Sequence, residues 1–134
     1  MGRILGLDYG KKRIGLAVTD EMQIISSPLD VYIYDDLFID KLRILHEKYN
    51  FEKIVIGYPY SEKYFEASKE VEIFAESLKQ LGISIEFQNE EFTSVFAGSL
   101  LKSMNIGKKG IKSKIDKYAA QKILEDYLKK RSGT

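Results

Sequence analysis

Two apolar runs stand almost end to end at the start of the chain, Ile4-Leu5-Gly6-Leu7 and the alternating Ile14-Gly15-Leu16-Ala17-Val18-Thr19. They read as strands over residues 3–9 and 12–19. The link between them, Asp8 to Lys12, contains Gly10 and is far too short for a crossover, so the two strands can pair only as an antiparallel hairpin. A third strand-like stretch, QIISSPLDVYI at 23–33, follows, with Pro28 marking an irregularity or an edge. The chain therefore opens as a three-stranded meander.

The period then changes. DLFIDKLRILHEKY puts Leu37, Phe38, Leu42, Leu45 and Tyr49 on one helical face, with Asp35 or Asp36 placed to cap it. KIVIGYP, at 53–59, reads as a short buried strand stopped by Gly57 and Pro59. A helix from about Glu66 to Leu81 turns Val71, Phe74, Ala75, Leu78 and Leu81 inward and ends at Gly82. ISIEFQ, at 83–88, alternates Ile83, Ile85 and Phe87 against polar neighbours. Thr93 or Ser94 can cap a third helix ending near Asn105, and a lysine-rich loop at 106–114 leads to a last helix over about 115–130. Hairpins at the front and helical crossovers behind them predict an α/β fold: a mixed five-stranded sheet, three antiparallel strands then two parallel, flanked by helices. No linker or repeat divides the chain, which points to a single domain over 1–134.

Composition narrows the chemistry. The sequence has no cysteine and one histidine, His46, which excludes disulfides and thiolate sites and leaves zinc chemistry without its usual ligands. A metal here has to be held by oxygen, which favours Mg2+ or Mn2+. No apolar run approaches the roughly 20 residues that span a bilayer, and the opening residues carry no signal-peptide pattern, so a cytoplasmic, membrane-free protein is expected. The net charge of +1 hides an uneven distribution, with lysines crowding GKKGIKSKIDK and acids concentrated between Glu62 and Glu91.

Three carboxylates fall where a shared site can form. Asp8 ends the first strand, Glu90 follows the fifth, and Asp116 shares the inward stripe of the last helix with Ala119, Ala120, Ile123, Leu124 and Tyr127. Acids gathered in one cleft repel one another unless a divalent ion neutralises them. Two such ions about 3.5–4 Å apart are an established apparatus for phosphodiester hydrolysis. Lys11, Lys12 and Arg13 after Asp8, and Lys108, Lys109, Lys112 and Lys114 before Asp116, can hold phosphates. On the residues alone, a turn-forming Asp8, a solvated Glu90, a capping Asp116 and a merely solvated lysine loop remain open alternatives.

The stretch LGLDYGKKRIGLAVTD closely resembles the opening signature of the YqgF/RuvX family, of ribonuclease H-like fold. IVIGYP resembles its Gly-x-Pro strand motif, NEEFTSVFA falls at its Asp-Glu-Arg segment, and KSKIDKYAAQKILEDYL resembles its closing helix. The resemblance implies that Asp8, Glu90 and Asp116 are the metal-binding and catalytic acids of a Mg2+- or Mn2+-dependent endonuclease. It implies a role in maturation of the 5′ end of precursor 16S ribosomal RNA, on structured RNA or within a pre-ribosomal particle, by a monomer or weak homodimer. A Holliday junction resolvase acting on branched DNA, or a ribosome-assembly factor that binds nucleic acid without cutting it, is the alternative. Asn89 and Glu91 stand where the family has Asp and Arg, and Phe96 stands where a glutamate would complete a capping box with Thr93. An amide there brings no charge, and Glu91 repels a phosphate that a guanidinium would attract.

Overall fold

A computed structural model describes residues 2–59, 65–90 and 108–132, of which 65–66 and 108–116 are described by their backbone alone. Five strands, β1 (Arg3–Asp8), β2 (Arg13–Thr19), β3 (Ser26–Ile33), β4 (Phe51–Pro59) and β5 (Ser84–Glu90), form one sheet in the order β3-β2-β1-β4-β5. β2 pairs antiparallel with β1 and β3, while β4 is parallel to both β1 and β5. The mixed sheet expected from the sequence is present, and the register shift between Leu16 and Ala17 falls opposite Pro28, where the ladder loses a donor.

Three helices lie among the described residues: α1 (Phe38–Tyr49), α2 (Phe65–Leu78) and α3 (Lys108–Arg131). One face of the sheet packs Leu5, Leu7, Ile54 and Ile56 against Phe38, Leu42, Phe74 and Leu78 of α1 and α2. The other packs Ile4, Ala17 and Val55 against Ala120, Ile123, Leu124 and Tyr127 of α3. The inward stripe of the last helix is as the spacing predicts, with Ala119, Ala120 and Leu124 fully buried. After Leu78 a single 3-10 turn, Lys79–Leu81, runs to Gly82 at φ 73°, the left-handed stop that glycine favours.

Several expectations need correction. α1 has no side-chain cap on its first turn; the Asp35 carboxylate instead accepts the Leu37 N–H at 3.0 Å, and Leu37 itself is exposed. Residues 23–25 are not strand, because Gln23 adopts φ 58° and turns the chain before β3 begins. On β5, Phe87 is exposed and Gln88 buried: β5 is an edge strand, and the Phe87 ring leans on Tyr58 of β4, centroids 5.0 Å apart, with the rest of its surface open. The lysine-rich stretch expected as a loop is helical from Lys108 onward, since lysine is a good helix former and Gly110 costs only about 1 kcal/mol. The expected helix from Thr93 or Ser94 to Asn105, with Phe96 and Glu91, lies outside the described residues.

Thr19 closes the hairpin from within. Its buried hydroxyl accepts the Ile4 N–H at 2.9 Å and donates to the Asp20 carbonyl at 2.9 Å. Thr19→Val keeps the shape but strands the Ile4 donor, so unfolding free energy should fall by about 1–3 kcal/mol. A urea titration reads this as a lower midpoint at constant m-value.

Candidate active site

β1, β4 and β5 run parallel, so Asp8, Pro59 and Glu90 come out at the same edge of the sheet. There they line one cavity of about 300 Å3 together with Tyr9, Gly10, Lys11, Gly57, Glu70 and Ile123. Asp8 and Glu90 are both half-buried. Gly57 makes room on the floor: a Cβ at that position would stand 2.5 Å from the Ile123 Cδ1 and 3.8 Å from the Glu90 Cγ.

α3 descends across the sheet toward the strands' starting ends. Ile123 lies over Gly57 and Leu124 over Gly6, Tyr127 meets Lys53 at the start of β4, and Arg131 reaches the β2–β3 turn at Gln23. Residues earlier in the helix therefore rise toward the Asp8 end. Position 116 lies one heptad before Ile123, on the same stripe; the Asp116 side chain is outside the described residues.

The basic candidates divide. Lys11 and Lys12 are exposed, and Lys11 lines the cavity while pairing with Glu70 of α2 at 3.5 Å. Arg13 is half-buried at the start of β2. The side chains of Lys108, Lys109, Lys112 and Lys114 lie outside the described residues, although their backbone is the first two turns of α3.

Two participants were not foreseen from the sequence. Tyr9 packs on Tyr34 and Phe74, with ring centroids 5.7 and 4.9 Å apart. Burial, with the nearby Glu70 and Tyr34, pushes its phenol up and keeps it protonated beside Asp8. Asp126 is the other. Burial pushes its carboxyl up, but hydrogen bonds with Glu90 and Lys122 outweigh this and leave it below the usual carboxylate range. Lys122 holds it at 2.8 and 2.9 Å. The only sequence signal was the Lys122–Asp126 spacing of four along a helix.

A divalent cation fits this donor set in part. Asp8 and Glu90 offer carboxylate oxygen to one cavity, and the single imidazole is elsewhere, its Nδ1 accepting the Phe51 N–H at 3.0 Å. Among the described residues no three acid, histidine or cysteine side chains converge on one point, so the set requires a donor from beyond them.

A model of the RuvX family, described as Holliday junction resolvase, matches residues 2–130. A "Putative pre-16S rRNA nuclease" of Sulfurihydrogenibium sp. is 39% identical, covering 98% of this chain and 93% of its own. The protein of that name from Dictyoglomus turgidum is 37% identical over 94% of this chain and 93% of its own. Among solved structures, RuvC of T. thermophilus in complex with a Holliday junction substrate superposes with a TM-score of 0.59 at 14% identity, covering 100% of this chain and 98% of the other. The Fowlpox virus resolvase superposes with a TM-score of 0.53 at 12% identity, covering 96% and 98%. At these identities the two structures establish the fold.

Proposed function

The chain belongs to the RuvX family, and on that premise we propose that it is a divalent-metal-dependent endonuclease that matures the 5′ end of precursor 16S ribosomal RNA. The observation that carries this is the meeting of Asp8 and Glu90 in one cavity at the strand ends, below the helix that bears Asp116. Curated relatives with the pre-16S nuclease name, similar over nearly the whole chain, support the RNA substrate.

Asp8, Glu90 and Asp116 would hold a pair of Mg2+ or Mn2+ ions, which supply positive charge to the attacking water and to the leaving oxygen of a phosphodiester. Asp8, on the central strand, would share in holding the metal with Glu90 from β5 and Asp116 from α3. Lys122 and Asp126 hold the Glu90 carboxyl in position from α3. Lys11 and Lys12, with the lysines of the first turns of α3, draw the phosphate backbone across the cavity. Glu70 competes with phosphate for Lys11, so substrate must displace that exposed pair.

A second function is favoured by the description of the family model and by the fold of RuvC: cleavage of a four-way DNA junction. Incubating the protein with an RNA spanning the 5′ end of precursor 16S ribosomal RNA and with a four-way DNA junction, under Mg2+ and then Mn2+, separates the two. Cutting of the RNA, abolished by chelation and restored by added Mg2+, is the expected result. Paired nicks in the junction alone would replace it with the resolvase. Tight binding without cutting would make the protein an assembly factor, with Asn89 and Glu91 the residues to revert. Lys108→Ala combined with Lys109→Ala should weaken RNA binding and lower its salt slope by about 2, one for each lost phosphate contact.

A further inference from the structure

At the outer edge of the sheet, Glu86, Gln88 and Glu90 take alternate positions on β5, and Glu86 lies in register with Val55, so all three share the face on which α3 packs. Glu90 lines the cavity with Asp8, and Gln88 lies two residues back from it, roughly 7 Å along the strand. There a groove of about 480 Å3 lies between β5 and the last turns of α3, lined by Glu86, Phe87, Gln88, Tyr127, Lys130 and Arg131.

Gln88 is the residue of this groove that the fold does not account for. It is 7% exposed, and among the described residues its Oε1 is buried without a hydrogen-bond donor. Its Nε2 has only a long bond, to the Asn89 carbonyl at 3.5 Å. A leucine would fill the position without leaving a polar atom stranded, so the amide needs a ligand to explain it. The charges around it are largely settled. Glu86 is paired with Lys53 at 3.3 Å, and Lys53 also donates to the Tyr127 hydroxyl at 2.9 Å. Arg131 stands over the Tyr127 ring, 5.7 Å from its centroid, and donates to Gln23 at 2.6 Å. Lys130 is exposed and forms no ion pair among the described residues, which leaves a cation at the rim. Phe87, 44% exposed, borders the same groove.

We propose that the groove binds one unpaired nucleotide of the RNA beside the cleaved bond, with Gln88 reading the Watson–Crick edge of its base. This rests on the nuclease function proposed above and names the form of substrate it takes. An amide presents an acceptor beside a donor, and the Watson–Crick edge of every base presents the complementary pair. In a duplex that edge is occupied by the opposite strand, so the groove admits only a base that is out of its pair. Phe87 offers a ring for the base to stack on, and Lys130 a charge for the adjoining phosphate. The step from Glu90 to Gln88 along β5 matches the length of about one nucleotide. The strand leaving the acids therefore enters the groove, and the enzyme selects a single-stranded stretch at its cleavage site.

Fluorescence anisotropy with EDTA present tests this on an RNA spanning the 5′ end of precursor 16S ribosomal RNA. Abasic sites are walked singly through its unpaired nucleotides, and a complementary oligonucleotide then closes them into a duplex. Wild type should lose about tenfold in affinity at one abasic position, and again on pairing. Gln88→Leu should bind the intact RNA about tenfold more weakly and no longer sense that position. It should melt at the wild-type temperature or above, because the stranded amide is gone. Lys130→Ala should lower the salt slope by about 1. A wild type indifferent to every abasic position and to pairing would overturn the proposal, with no variant needed. A Gln88→Leu that keeps the same sensitive position would overturn it too. Cleavage under Mg2+ is scored separately. An RNA that is cut but has no sensitive position overturns the groove alone, whereas one that has such a position but is never cut overturns the nuclease and leaves the groove standing.

Discussion

Asp8→Asn should abolish cleavage while leaving the fold as stable as before. The carboxylate stands half-buried at the tip of the central strand, lining the same cavity as Glu90 and Glu70. Removing its charge relieves repulsion within that cluster, so the melting temperature without metal should stay level or rise slightly. Activity has no such cushion. Losing a group aimed at charge that develops in the transition state costs about 10²–10³-fold, and loss of the proposed metal-holding carboxylate should cost at least that. If Mg2+ binds the native state alone, as proposed, it should stabilise wild type by about 2.7 kcal/mol at a hundred times the dissociation constant, and the variant should lose most of that gain. Thermal melts with and without Mg2+, beside single-turnover cleavage, read both effects. A variant that cuts at the wild-type rate would reduce Asp8 to a turn-forming residue.

Asp8 also shows what sequence alone could and could not convey. The hairpin was legible because six residues between two apolar runs leave no other pairing, and the stripe of α3 was legible because Ala119, Ala120, Ile123, Leu124 and Tyr127 repeat at helical spacing. Parallel pairing of β1, β4 and β5 then had to bring the ends of those strands to one edge, which is how Asp8 and Glu90 come to share a cavity. What failed depended on tertiary neighbours. Phe87 alternates correctly for a buried strand, but β5 lies at the edge and the side chain faces water. Ile24 and Ile25 extend an apolar run and look like strand, yet the left-handed Gln23 ends that possibility. The Glu90–Asp126 contact joins residues from two elements 36 positions apart in sequence, which no local pattern encodes.

Gly6→Ala should be the most disruptive small substitution in the sheet. Gly6 shares its face of β1 with Ile4 and Asp8, the face on which α3 packs. A Cβ there would stand 2.5 Å from the Leu124 Cγ and 3.0 and 3.1 Å from its two methyl carbons. The Cγ is the branch point of a fully buried side chain, so no simple rotation of a free end relieves the overlap. Either β1 bends or α3 lifts, and overpacking of this kind costs about 1–3 kcal/mol. Because position 116 lies on α3 above this contact, lifting the helix should also shift the backbone that carries Asp116 relative to the Asp8 end of the sheet. Cleavage should therefore fall by about 10²-fold, the cost of a misplacement near 1 Å. Leu124→Ala alone should cost about 2–5 kcal/mol by leaving a cavity. In the double variant the new methyl group occupies part of that cavity, so the two losses should sum to at least about 1 kcal/mol less than additivity requires. Denaturant titrations of the four proteins measure that coupling directly. Strict additivity would mean that β1 bends away locally and that the seating of α3 over Asp8 does not depend on Gly6.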